Sequence, residues 1–90
     1  MAAVKFLPRA EKDLLALPSA LQDEILNKAD LLGRFPEMGP KMERAYRGYR
    51  YLLAGRNQYR ILYKVTSPAL VEVAYIRHCK RQMGLRLVKH

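Results

Sequence analysis

The chain has one cysteine, Cys79, among 90 residues, which excludes an intrachain disulfide and a zinc cluster built on thiolates. With only His78 and His90 beside it, neither a metal nor another cofactor is expected. There is no glycine-rich phosphate loop, no internal repeat and no low-complexity segment. No run is long and uncharged enough to span a bilayer, so a membrane is not an expected partner. The opening Met1-Ala2-Ala3-Val4-Lys5 meets a charge at once and Pro8-Arg9 follows, so no secretory signal is predicted and the expected location is cytoplasmic. Acid is scarce too, but only in one half. Between positions 41 and 90, Glu43 and Glu72 alone oppose twelve of the seventeen basic residues.

That half carries a formal +10 and the first forty residues −1, within a net charge of +9. Clustered like charge raises the local concentration of an anionic partner, and phosphate is the obvious anion. The length predicts one domain, residues 1–90, and the 50% apolar content predicts that it folds around a single modest core.

Residues 2–7 read as a short strand, and Pro8 suits the first turn of a helix because its fixed φ and missing N–H cost nothing there. Leu7, Ala10, Leu14 and Leu17 then recur at helical spacing up to Pro18. Ser19 is a candidate N-cap, with Gln22 completing a capping box, and Leu21, Ile25, Ala29 and Leu32 carry the second stripe to a stop at Gly33. The result is an antiparallel helical hairpin, followed by a loop from Phe35 to Pro40 marked by proline and glycine.

Beyond Lys41 the period falls to about two residues. Three strands are predicted, around residues 49–54, 59–65 and 71–76, joined by a Gly55-Arg56 turn and by Thr66-Ser67-Pro68-Ala69. The expected fold is α+β: a short N-terminal strand and a two-helix hairpin packed on one face of an antiparallel sheet of three further strands. Alternation assigns Tyr49, Tyr51, Leu53, Tyr59, Ile61, Tyr63, Val65, Val71, Val73 and Tyr75 to the covered face. It assigns Arg50, Arg60, Lys64 and His78 to the open face, among Leu52, Leu62, Ala74 and Ile76.

Each of these residues has a plainer role. Single cations on a solvated sheet face are ordinary, but such faces usually mix signs, and this one offers Glu72 alone. The tyrosines at strand spacing read as core, with Tyr46 the exception, and Cys79 reads as a small thiol with no base paired to it. Lys41, Arg44, Arg47 and Arg56 read as rim cations that steer a nucleic acid without reading its sequence.

The order of elements resembles the RelE/ParE superfamily of bacterial toxins from type II toxin–antitoxin pairs. The likeness rests on Phe6-Leu7-Pro8-Arg9-Ala10-Glu11-Lys12-Asp13-Leu14, on Tyr59-Arg60-Ile61-Leu62-Tyr63 and on Tyr75-Ile76-Arg77-His78-Cys79-Lys80-Arg81. Two activities occur in that superfamily: RelE-like members cut messenger RNA on the ribosome, and ParE-like members poison DNA gyrase. The short helices resemble the RelE side. The resemblance implies an acidic cognate antitoxin, a toxin–antitoxin hetero-oligomer, and metal-independent cleavage of messenger RNA. It also implies that Arg60 contacts the scissile phosphate and that Arg50 lies near a catalytic basic position. His78 is the candidate for proton transfer, since histidine alone has an ordinary pKa near neutrality, about 6.5. Lys64, Arg77, Lys80 and Arg81 complete the expected nucleic-acid contacts. No tyrosine follows Tyr75, where RelE-like relatives often carry one, and no acid occurs in residues 46–54, where some relatives carry a glutamate, so a gyrase inhibitor and a non-catalytic nucleic-acid-binding module are the alternatives.

Overall fold

The computed structural model describes residues 1–79, so Lys80, Arg81 and the tail to His90 lie outside the described residues. The elements run β1 (Ala3–Phe6), α1 (Pro8–Leu15), α2 (Ser19–Arg34), a 3-10 turn (Arg44–Tyr46), β2 (Arg50–Ala54), β3 (Tyr59–Ser67) and β4 (Leu70–His78). The expected α+β arrangement is observed. The four strands form one sheet in the order β1-β4-β3-β2, with β1 parallel to β4 and the other two pairs antiparallel.

Pro8 opens α1 as expected, and Ala10 and Leu14, one turn apart, are the residues this helix buries. The start of α2 departs from the expected capping box. Pro18 occupies the cap position, and its carbonyl accepts the amides of Leu21 and Gln22. The Gln22 side chain reaches back to the Leu17 carbonyl, 2.8 Å away, so it ties the two helices together without involving Ser19. The helix also runs past the expected stop at Gly33 to Arg34. Gly33 serves close packing instead: its carbonyl accepts the Ala2 amide at 2.8 Å, and a Cβ there would press on the Ala2 carbonyl oxygen.

The core lies between this hairpin and one face of the sheet. Ala10, Leu14, Ile25 and Leu32 meet Ala54, Ile61, Tyr63, Val71, Val73 and Ile76, with Val4 and Phe6 of β1 packed against them. Two polar contacts fasten α2 to the edge of the β2–β3 hairpin. Lys28 Nζ donates to the Leu53 carbonyl at 2.6 Å, and the Gly55 amide donates to Glu24 Oε2 at 3.1 Å. The outer edge of β2 is covered by the preceding segment. The Tyr51 amide donates to the Pro40 carbonyl, the Met42 amide to the Tyr49 carbonyl, and Lys41 pairs with Arg50. An edge paired in this way offers fewer free backbone groups to another chain. Among the described residues no helix is long and apolar enough to cross a membrane.

Candidate functional site

Register decides which side chains share a face, because directly paired residues point the same way. Arg50 pairs with Tyr63 and Leu52 with Ile61, both partners being core residues. Leu53 pairs with Arg60, which pairs in turn with Arg77; Tyr51 pairs with Leu62, which pairs with Tyr75. The open face therefore carries the rows Leu53–Arg60–Arg77, Tyr51–Leu62–Tyr75 and Lys64–Glu72.

This corrects three expectations. Arg50 and Arg60 do not share a face, so they cannot bracket one phosphate. Tyr51, Leu53 and Tyr75 leave the covered face for the open one, while Leu52 and Ile76 pass to the core side. His78 pairs with Tyr59 on the covered side, away from Arg60. The cause in β2 is the turn. Arg56 and Asn57 have φ of 57° and 66°, and the Gln58 amide donates to the Gly55 carbonyl at 3.1 Å, which is the signature of a type I′ connection. A two-residue loop of this kind pairs odd positions with even ones. In β4 the cause is a bulge: the pairing slips between Leu62 and Tyr63, opposite Val73 to Tyr75, and turns the last four residues over.

Arg60 and Arg77 are consequently direct cross-strand neighbours. The Arg60 guanidinium carbon sits 5.0 Å from the centre of the Tyr51 ring, and that of Arg77 sits 4.7 Å from Tyr75. Each Nε is buried and has no hydrogen-bond partner. Among the described residues the ion pairs are Arg9–Asp13 and Lys28–Glu24, so neither arginine has a carboxylate. Glu72, the acid on this face, accepts the Thr66 hydroxyl at 2.9 Å, while its cross-strand neighbour Lys64 directs its ammonium to the Tyr49 ring, 5.9 Å away.

The magnitudes oppose one another. A cation over an aromatic ring is worth roughly 0.5–2 kcal/mol. An unsatisfied buried donor costs about 1–3 kcal/mol, and like charges placed directly opposite add a further penalty. The free protein leaves the pair undercompensated. An anion with several acceptor oxygens, presented to the outer nitrogens of two planar guanidinium forks, offsets the like-charge penalty.

Arg50 contrasts with this at every point. Its Nη1 donates to the Gly39 carbonyl at 2.8 Å and to that of Glu37 at 3.2 Å, which pins the loop after α2. Beside it the buried Tyr63 hydroxyl accepts the Gly39 amide at 2.9 Å. Burial pushes the Tyr63 pKa above its ordinary 10.0, against the opposing effects of that hydrogen bond and the Arg50 charge. Gly39 is required at this spot, since a Cβ would run into the Tyr51 carbonyl and the Tyr63 hydroxyl. His78 meets Tyr59 edge to face, with ring centres 4.7 Å apart. Lys41, Arg44, Arg47 and Arg56 are exposed, Arg44 and Arg56 on left-handed backbone with φ of 61° and 57°.

The family model described as the ParE toxin of the type II toxin–antitoxin system parDE matches residues 4–83. The chain belongs to this toxin family. Among solved structures, the RelBE2 toxin–antitoxin complex of Mycobacterium tuberculosis is similar at 28% identity and TM-score 0.74, over 86% of this toxin and 96% of that chain. The intact Escherichia coli RelBE complex matches at 19% identity and TM-score 0.74, covering 88% of this chain and 98% of its own. The chromosomal ParDE system of Pseudomonas aeruginosa matches at 17% and 0.69, covering 87% and 96%. These last two show the fold alone. Comparison with curated proteins gives no match. Within the toxin's open face, Tyr51 and Tyr75 are the site residues that alternation had assigned to the core.

Proposed function

We propose that this toxin is an endoribonuclease that cleaves messenger RNA on the ribosome and is restrained in the cytoplasm by an acidic antitoxin. The observation that carries the reading is the adjacent Arg60 and Arg77, each held on a tyrosine ring and each without an anionic partner. Cleavage by the 2′-hydroxyl builds negative charge on a pentacovalent phosphorus. Cations already fixed around that point can contribute on the order of several kcal/mol to the barrier reduction. In this reading the two guanidiniums hold the non-bridging oxygens. The hydroxyls of Tyr51 and Tyr75 and the Lys64 amine stand on the same face as candidates for proton transfer, with water. The antitoxin follows from the company of toxin–antitoxin complexes in which the fold occurs, and its acidity from the toxin's +9 charge.

The test is induced expression of wild type, Arg60→Ala and Arg77→Ala, with growth and transcript ends read together. New cleavage ends in wild type, lost in both variants, are expected. Growth arrest without new ends would sink the nuclease reading.

A second reading, inhibition of DNA gyrase without nuclease chemistry, is favoured by one observation. His78 lies on the face opposite the arginine pair. Under this reading stoichiometric purified toxin blocks supercoiling by gyrase, and unchanged supercoiling removes it.

A further inference from the structure

Beyond Phe6, which pairs with Val73, β1 no longer covers the outer edge of β4. α1 packs there instead, and Asp13 supplies what a neighbouring strand would have supplied. Its Oδ2 accepts the Ile76 amide at 3.1 Å. Its other oxygen, Oδ1, takes a long contact of 3.4 Å from Arg9 Nε, one helical turn earlier. The Arg9 guanidinium carbon then lies 5.7 Å from the centre of the Tyr75 ring, the ring that also supports Arg77 at 4.7 Å. Two arginines from different elements thus share one tyrosine. Their guanidinium carbons are at most about 10.4 Å apart, the sum of those two distances. The line of cations does not stop at the sheet edge: it runs from Arg60 on β3 through Arg77 on β4 to Arg9 on α1.

We propose that Arg9 forms a second phosphate position beside the Arg60–Arg77 pair, so that the protein grips two neighbouring phosphates of one nucleic-acid strand, running across the strands of the sheet and off its β4 edge. The proposal rests on the nucleic-acid reading given above and adds its direction and length. Arg9 leaves most of its donors outward, because only Nε is engaged by Asp13, and its side chain is 62% exposed. Asp13 is a positioning residue. With one oxygen on the β4 backbone and the other on Arg9, it fixes where the guanidinium stands relative to Tyr75. A strand that meets only the sheet face touches one arginine pair; a strand continuing past β4 meets Arg9 next.

The experiment measures binding of the full chain to a fluorescein-labelled single-stranded oligoribonucleotide by polarisation, across a series of salt concentrations. Each phosphate contact to a single strand contributes about 0.7 to the slope of log affinity against log salt. Arg9→Ala is expected to lower that slope by about this amount, and Arg9→Lys to restore the slope while leaving affinity severalfold weaker. Asp13→Asn is expected to weaken binding with the slope retained. In the wild type a dinucleotide with two phosphates binds severalfold tighter than one with a single phosphate, and in Arg9→Ala that ratio falls towards one. An unchanged slope and an unchanged ratio in Arg9→Ala, with binding still lost in Arg60→Ala, overturns the second position alone. Retained binding in Arg60→Ala overturns both the second position and the reading of the sheet face. Thermal melts of each variant separate these outcomes from unfolding.

Discussion

Two arginines placed on neighbouring strands of the same sheet, Arg50 and Arg60, lead opposite lives. Arg50 lies on the helix-covered side, where the loop carbonyls of Glu37 and Gly39 take its donors. Arg60 lies on the open side, supported by a tyrosine ring and facing a second arginine, with Nε left unpartnered. Both carry the same charge on a similar backbone. What differs is whether the fold itself supplies the acceptor. Where it does, the cation's donors are engaged within the protein; where it does not, the charge stays without an acceptor of its own.

The largest effects test that contrast directly. Arg60→Ala or Arg77→Ala is expected to weaken oligoribonucleotide binding by tenfold to about a hundredfold, since a charged hydrogen bond is worth about 1.5–3 kcal/mol. The melting temperature should hold or rise slightly, because a like-charge pair is relieved. A fall in melting temperature as large as the loss in binding would mean that Arg60 is structural after all. Arg50→Met should behave in the opposite sense, losing about 2 kcal/mol of stability in denaturant titration while binding changes less than twofold. Comparable losses of binding for Arg50→Met and Arg60→Ala would collapse the distinction between the faces.

Tyr63 supplies a pH test of the covered side. Its folded pKa is raised above the ordinary 10.0, so the native state holds this proton more tightly than the unfolded state does. The resulting stability is fully present below about pH 10 and is lost as pH rises through the folded value. Melting temperature should therefore fall steeply in alkaline buffer. Tyr63→Phe should remove that component while costing about 1–3 kcal/mol at neutral pH, because the Gly39 amide loses its acceptor. The smallest effect concerns the turn that sets the faces. Arg56 holds a φ of 57°, which glycine adopts without strain. Arg56→Gly is expected to gain up to about 1 kcal/mol, read as a higher urea midpoint.

Much of this arrangement can be read from the residues. Pro8 marks the start of α1, the apolar stripes give both helices, and period-two alternation gives β2, β3 and β4. The tyrosine-arginine segment and the basic second half are what raise the expectation of a phosphate partner. The face of β2 was legible in principle, since any two- or four-residue connection pairs an odd position with an even one. Tyr51 and Leu53 therefore had to travel with Arg60 and Leu62, and the expectation that grouped Arg50 with Arg60 was wrong. The bulge in β4 carries no such signal. Nothing in Val71-Glu72-Val73-Ala74-Tyr75-Ile76 announces where the alternation breaks, and the slip falls just past the paired core residues Tyr63 and Val73. The roles of Asp13 and Arg9 were also out of reach, since they depend on α1 lying along an edge of β4 that β1 leaves bare.

The pairing of β1 with β4 has a consequence for how the protein is made. Ala3 finds its partner in Leu70, and Phe6 in Val73, so the first strand waits until synthesis has passed Val73 before it can join the sheet. Contacts this distant in sequence close late, because the entropy of a long loop must be overcome before the pairing stabilises anything. Arg77 lies beyond those partners, on the last stretch of β4. A nascent or truncated chain can display Arg60 but cannot set Arg77 against it. The cationic row thus comes into being only once synthesis has passed Arg77 and β4 has found its place, so the row is a late product of folding.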